Sequence, residues 1–352
     1  MNYAPFLRSN NTTHKMMKNL FLALLPIILF FIYKNGIVIF LNKSHSFLTL
    51  IYPLLRIMIA SIISIMTELI YFKSIKKTEN LDETLRQTYP IFEGLILSLL
   101  IPFNTNIFIL IFCTIITSIM KILMYHYNLK LVNSILIGCL IGTLIFKIFD
   151  SKDILTGTLN EYNTIKDNMD LWDYFVGSSS YISPLICIIS YVFLVYKKAI
   201  KWKIPIIYIS TIFILSWIIG KLNGFNIEYA IYAVCSGPLI FSSIFLLPES
   251  STSPMTAIGQ IIYAIFSALL TITFRFIMPF NGGIILSILI MNFFVPHLDI
   301  ITSFGNTAIK KIIIPLILCI LLSIILIIRI NKVHKLKSMN VSNYHIIESY
   351  LK

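Results

Sequence analysis

Glu93-Gly94-Leu95-Ile96-Leu97-Ser98-Leu99-Leu100-Ile101-Pro102-Phe103-Asn104-Thr105-Asn106 has a counterpart in the second half of the chain. That counterpart runs from Ser236-Gly237-Pro238-Leu239 to Leu247-Pro248-Glu249-Ser250-Ser251-Thr252-Ser253-Pro254. Each segment opens at a Gly beside a polar residue and stays apolar for about two helical turns. Each then meets a Pro and small polar side chains before another apolar stretch begins. In a multi-span membrane protein, paired interruptions of this kind point to two structural repeats with a polar site between them.

The surrounding sequence fixes the class. Hydrophobic residues make up 57% and charged residues 12% of the chain, and the mean hydropathy is +0.87, which excludes a soluble domain of this length. Apolar stretches able to enter a hydrocarbon core run at Asn19–Ile32, Phe47–Phe72, Tyr89–Phe103, Ile107–Tyr125, Leu131–Phe149, Ile182–Tyr196, Ile204–Ile219, Ile227–Leu247, Ala257–Met278, Gly282–Val295 and Ile312–Ile330. Several are shorter than the roughly 20 residues of a straight spanning helix, which suits broken helices inside a bundle. The fold predicted is all-α and polytopic: a ten-span core of two five-span repeats, plus one additional C-terminal span. The divisions are an amino-terminal arm over 1–18, a first repeat over 19–149, an acidic loop over 150–181, a second repeat over 182–300, and the last span with a basic tail over 301–352.

Lys and Arg in short loops mark the cytoplasmic face of a membrane protein. They concentrate in the arm (Arg8, Lys15, Lys18), in Lys73-Ser74-Ile75-Lys76-Lys77 and in Lys197-Lys198-Ala199-Ile200-Lys201-Trp202-Lys203. These segments are expected in the cytoplasm, with the arm an uncleaved anchor in the cell membrane. The loop with Asp150, Asp153, Glu161, Asp167, Asp170 and Asp173 is expected outside. An eleventh span would carry the basic tail (Arg329, Lys332, Lys335, Lys337) to the outside too, against the charge rule. The net charge of +13 therefore reads as topology and not as a nucleic-acid partner, because no reading motif accompanies it.

Cys113, Cys139, Cys187, Cys235 and Cys319 lie in apolar stretches without metal or redox spacing and read as packing residues. No phosphate loop, zinc-protease motif or nucleophile elbow is present, so no catalytic residue and no metal ligand is assigned. Ionisable groups inside spans are functional candidates: Arg56, Glu68, Glu93, Arg275 and His297. Arg56 and Glu68 stand about 18 Å apart along one helix and cannot pair with each other. Glu93 reads either as a carboxylate for a cation or as an interfacial helix start. Arg275 reads either as a snorkelling side chain or as a cation facing an anionic ligand.

Several segments together resemble a known family. They are Ala4-Pro5-Phe6-Leu7-Arg8-Ser9, Thr67-Glu68, Glu93-Gly94-Leu95-Ile96-Leu97 with Ile101-Pro102, Lys201-Trp202-Lys203-Ile204-Pro205, Ser236-Gly237 with Glu249-Ser250-Ser251-Thr252-Ser253-Pro254, and Phe294-Val295-Pro296-His297-Leu298-Asp299. In order and spacing the chain resembles the RnfD protein of the Rnf electron-transport complex, which is related to the NqrB protein of the sodium-translocating NADH:quinone reductase. The resemblance spans about 300 residues.

It implies a subunit, non-catalytic alone, of an oxidoreductase that couples electron transfer to Na⁺ or H⁺ transport. Its partners would be other membrane, flavin and iron–sulfur subunits, and an FMN transferase. The cofactors implied are FMN joined by a phosphoester to a Thr of the outward loop, and a second, noncovalent flavin. The acceptor motif corresponds to Asp153-Ile154-Leu155-Thr156-Gly157-Thr158-Leu159, where Leu159 occupies the acceptor position and Thr158 stands one residue early. Thr156 and Thr158 are the candidates there. Asn133 alone matches the family's Asn-Pro-rich stretch, Tyr181 replaces an acidic residue, and Pro248-Glu249 replaces Thr-Asp. Ser236, Gly237, Thr252, Ser253 and Asn133 are the other flavin candidates, with Asn104 and Asn106 as further polar contacts and Tyr125 and Tyr127 as walls. Glu93, Glu249 and Glu68 are the ion-pathway candidates. Two other readings stay open: a solute or ion transporter on the same scaffold without covalent flavin, and a structural subunit.

Overall fold

The computed structural model describes residues 13–43, 47–75, 84–85, 88–127, 132–149, 162, 170–177, 182–277 and 282–303. All regular structure among them is helical. In chain order the helices are α1 (Thr13–Ile32), continued by a π-helical stretch (Tyr33–Val38) into α2 (Ile39–Lys43), then α3 (Phe47–Ile70), α4 (Pro90–Leu100), α5 (Ile107–His126) and α6 (Ser134–Phe149). After them come α7 (Leu171–Val176), α8 (Pro184–Tyr196), α9 (Lys203–Leu222), α10 (Glu228–Cys235), α11 (Leu239–Phe245), α12 (Ala257–Ile277) and α13 (Gly282–Ser303).

The protein is a polytopic membrane protein. Each of the ten apolar stretches read in the core is helical. By length and composition, six described helices can cross a bilayer, and α10 with α11 makes a seventh when taken as one bent span. α4, α6 and α8 are shorter apolar helices. The eleventh stretch, Ile312–Ile330, lies outside the described residues.

The two halves repeat a pattern of neighbours. α3 packs along α4 and α5, and α5 along α6; α9 packs along α10 and α12, and α12 along α13. Between the halves, α1 lies against α8 and α6 against α13. α4 and the α10–α11 pair occupy corresponding inner places, and every residue of α11 is buried.

The first segment does not open at Glu93-Gly94, contrary to the sequence reading, because both residues lie inside α4. Gly94 is small for packing. A Cβ there would meet the Ala60 carbonyl oxygen at 2.7 Å, so the α3 and α4 backbones touch where it stands. The helix instead begins at Pro90, which is suited to a first turn that needs no N–H, and stops before Pro102. The carbonyls of the turn that follows, from Ile101 to Phe103, lie beyond the reach of helical donors. Arg56 of α3, 1% exposed, turns into that gap. Its Nη2 donates to the carbonyls of Ile101 (3.0 Å) and Pro102 (2.7 Å) and to Thr105 Oγ1 (2.8 Å), and its Nη1 donates to the Phe103 carbonyl.

The second interruption falls where the sequence places it, at Ser236-Gly237-Pro238. Gly237 adopts φ +62, and α10 and α11 meet at a 55° bend. Arg275 supports this break as Arg56 supports the first: Nη1 donates to the Ala233 carbonyl at 2.6 Å. Arg275 is 6% exposed, so it does not snorkel. A backbone carbonyl freed by a break has no water to turn to in this interior, and a guanidinium replaces it.

The helices of the second half are also joined by hydroxyl groups. Tyr208 meets Thr271 at 2.8 Å, Thr271 meets Ser287 at 2.6 Å, and Tyr263 donates to Asn292 Oδ1 at 2.7 Å. Such contacts hold apolar helices together where lipid removes the hydrophobic contrast. Cys113, Cys139, Cys187 and Cys235 are buried free thiols, in keeping with a packing role, and Cys319 lies outside the described residues.

Candidate functional site

A cavity of about 520 Å³ lies at the end of the bundle where α1 starts and α5 finishes. Its walls come from both halves: Met16, Met17, Phe92 and Tyr125 on one side, Ala199, Ile200, Phe245 and Pro248 on the other. Glu93, Lys121, Asn133, Glu249 and Ser251 supply charge and polarity. Its size falls within the range of small-molecule and cofactor clefts.

At the first-half wall, Lys121 Nζ stands 2.6 Å from Glu68 Oε1 and 3.1 Å from Glu93 Oε1, and it donates to the Thr88 carbonyl at 2.6 Å. Three acceptors therefore use the three N–H bonds of the ammonium. Glu68 is 1% exposed, and its second oxygen accepts from Thr88 Oγ1 at 2.6 Å. Ser134 Oγ approaches Glu93 Oε1 at 3.4 Å. Glu93 Oε2 is buried and takes no hydrogen bond among the described residues. α4 carries Glu93, α5 carries Lys121 and α3 carries Glu68, so the cluster forms only once those three helices pack.

At the second-half wall, the loop after α11 presents Glu249. Asn133 Nδ2 donates to Glu249 Oε2, and Ser251 Oγ donates to Oε1 at 2.9 Å. Asn133 Oδ1 meanwhile accepts from the Ile135 N–H at 2.8 Å, starting α6. The loop is fastened from behind: Ser253 Oγ donates to the Glu249 carbonyl, and Lys201 Nζ donates to the Ser253 carbonyl (2.9 Å) and Oγ (2.7 Å). Partial burial pulls the Lys201 ammonium below its ordinary value, while Asp299 acts in the other direction.

Glu93, Glu249, Asn133 and Thr252 thus line one cavity, with Glu68 one contact behind it through Lys121. Ser253 sits behind the Glu249 loop. Ser236 donates to the Ala233 carbonyl and belongs with Gly237 to the helix break, away from the cavity. Asn106 caps α5 through the Phe108 N–H, Tyr125 is a wall, and Tyr127 is exposed. Thr156, Thr158 and Tyr181 lie outside the described residues. The sequence reading missed Lys121, although an ammonium inside the apolar run Ile119-Met120-Lys121-Ile122-Leu123 carries the same signal as Glu68 and Glu93. Lys201 reads from sequence as topology only, and nothing in the local sequence links it to Ser253.

Residues 1–308 match the family described as NQR2, RnfD, RnfE. The chain is 26% identical over 329 residues to the D subunit of the Na⁺-translocating ferredoxin:NAD⁺ oxidoreductase complex of Acetobacterium woodii, covering 88% of this chain and 96% of that protein. It is 33% identical over 127 residues to the D subunit of the proton-translocating ferredoxin:NAD⁺ oxidoreductase complex of Clostridium ljungdahlii, covering 36% and 38% of the two chains. With the D subunit of the ion-translocating oxidoreductase complex of Methanosarcina acetivorans it shares 27% identity over 156 residues, covering 43% and 50%.

Proposed function

The chain belongs to the NQR2, RnfD, RnfE family, and from that premise we propose that it is the RnfD-type membrane component of a complex that couples electron transfer to Na⁺ or H⁺ movement. The observation that carries this reading is the cavity between the halves, where Glu93 and Glu249 face a common space and Glu68 stands behind Lys121. Carboxylates in a membrane interior are expensive, and a cation relieves their cost. We assign Glu93 and Glu249 to the ion pathway, with Glu68 as their support. The cavity opens at the end that carries Lys197 to Lys203, which the charge rule assigns to the cytoplasm of a cell-membrane protein.

Flavin enters only through the family. Two carboxylates line the cavity against one ammonium, and that ammonium is already held by Glu68, Glu93 and Thr88. A flavin phosphate does not fit such a lining, so noncovalent FMN is not assigned to it. Covalent FMN is proposed at Thr158 or Thr156 of the acidic loop, supported by Asp153 and Thr156-Gly157 standing in register with the family's acceptor motif. Bound there, the flavin would supply a one-electron carrier, and the chain would position it and tune its electrostatics. The partners proposed are the remaining flavin, iron–sulfur and membrane subunits, and an FMN transferase.

Two measurements test the proposal. Loss of this subunit from its host's complex is expected to abolish ferredoxin-dependent NAD⁺ reduction coupled to Na⁺ or H⁺ movement. Mass spectrometry of the Asp150–Lys166 peptide, from a host with a competent transferase, is expected to show one FMN less water on Thr158 or Thr156. An unmodified peptide rejects the covalent flavin and leaves the ion-pathway assignment standing.

A further inference from the structure

The three carboxylates around the cavity are not equally served. Glu249 has donors on both oxygens, from Asn133 and Ser251. Glu68 also has donors on both, from Lys121 and Thr88. Glu93 shares one oxygen between Lys121 and Ser134 at 3.1 and 3.4 Å, and the other has none among the described residues. The Lys121 ammonium is therefore anchored on one side and loosely engaged on the other, with short contacts to Glu68 and Thr88 and a longer one to Glu93. Its side chain is 21% exposed and Glu93 12%, both facing the cavity, whereas Glu68 is 1% exposed.

Resting on the ion-pathway reading above, we propose that Lys121 is a tethered counter-ion that competes with the mobile cation for Glu93. With the cavity empty, the one ammonium is shared between Glu68 and Glu93, which leaves the group one negative charge in excess. When a monovalent cation enters from the cavity and engages the Glu93 carboxylate, repulsion between like charges drives the ammonium back onto Glu68 and the Thr88 carbonyl, which already hold it. When the cation leaves, Lys121 returns. The interior thus never holds Glu93 wholly unneutralised, nor two mobile positive charges on it. Lys121 is a positioning residue that sets how tightly the site holds its cation, and the competition weakens binding enough for the ion to leave. The same exchange serves Na⁺ or a proton on Glu93.

The test uses the assembled complex in proteoliposomes, following electron transfer against Na⁺ at fixed pH, and against pH at fixed Na⁺. A neighbouring positive charge lowers a carboxylate's proton affinity by about ten- to a thousandfold; Na⁺ on the same carboxylate meets the same repulsion, so Lys121→Gln is expected to lower the half-saturating Na⁺ by about tenfold. If the cation is a proton, the midpoint of the rate–pH profile moves up instead. Lys121→Arg, which keeps the charge, is expected to stay near wild type. Glu68→Gln with Lys121→Gln removes the buried pair together, so Glu68 is not stranded as an unpaired charge, and it gives a smaller shift in the same direction if the single variant does not assemble. Unchanged or weakened cation affinity in these neutral variants, while Glu93→Gln abolishes the cation dependence, overturns the counter-ion role alone. A Glu93→Gln complex with unaltered cation dependence overturns the ion-pathway reading beneath it.

Discussion

Replacing Arg56 with Met tests whether a guanidinium holds the first helix break. The side chain contacts three carbonyl oxygens and the Thr105 hydroxyl. Thr105 keeps a partner without it, because its Oγ1 also donates to the Pro102 carbonyl at 2.9 Å. The Ile101 carbonyl loses the donor that Arg56 gives it, and the Phe103 carbonyl loses a charge-assisted one. A buried polar group without a partner costs about 1–3 kcal/mol, and the loss of charge-assisted donors at Pro102 adds to it. Partial relaxation of the loop leaves a net loss of about 3 kcal/mol, which at about 1.36 kcal/mol per decade exceeds a hundredfold in the folding equilibrium. At roughly 2–4 °C per kcal/mol, the melting temperature should fall about 6–12 °C. The assay is a thermal ramp in detergent with a thiol-reactive dye, since Cys113, Cys139, Cys187 and Cys235 are all buried and report unfolding when they react. Cys319 is changed to Ser beforehand. Arg56→Lys, with one nitrogen for several acceptors, should fall between wild type and Arg56→Met. A shift under about 2 °C for Arg56→Met would refute the reasoning, as would Arg56→Lys falling as far as Arg56→Met.

Three further outcomes follow from the packing. Gly94→Ala puts a Cβ against the Ala60 carbonyl and should cost about 1–3 kcal/mol by overpacking, whereas Gly224→Ala, with open space but φ +80, should cost about 1 kcal/mol from backbone strain alone; the same dye ramp ranks them. Tyr263→Phe strips Asn292 Oδ1 of its donor and should cost about 1–3 kcal/mol, while the double change with Asn292→Leu, which removes both partners, should recover most of it. Lys201→Met removes two hydrogen bonds to Ser253 and should speed amide exchange across 249–256 by about tenfold or more, with α12 beyond Gln260 unaffected, as measured by hydrogen–deuterium exchange.

Much of the candidate site was legible in the sequence because its signal is local and chemical. Glu93 and Glu68 stand out as carboxylates in apolar runs, and Glu249 and Thr252 as polar residues of the second interruption, whereas Asn133 is legible only through the resemblance. Lys121 carries the same local signal, but a Lys near a span end reads equally well as topology. Arg56 and Arg275 were noticed, but their partners are backbone carbonyls 45 and 42 positions away along the chain, and carbonyls carry no identity in a sequence. The first segment opens at Pro90 and not at Glu93-Gly94 for a related reason, while its end at Pro102 is where the sequence places it. Gly reads locally as an interruption, yet here it is the point of contact with Ala60 of another helix.

The sequence alone determined that this is an all-helical membrane protein, which stretches become helices, and that each half holds a broken segment. Hydropathy, proline and helix periodicity act within a few residues of one another and need no partner. The tertiary structure alone decided that Lys121 sits between Glu68 and Glu93, that Asn133 holds Glu249 across the junction of the two halves, and that two arginines serve the carbonyls at the breaks. Each of these joins helices far apart in the chain. The high cost of an unpaired charge or carbonyl in a membrane interior requires that some partner exist, but only packing decides which one is within reach.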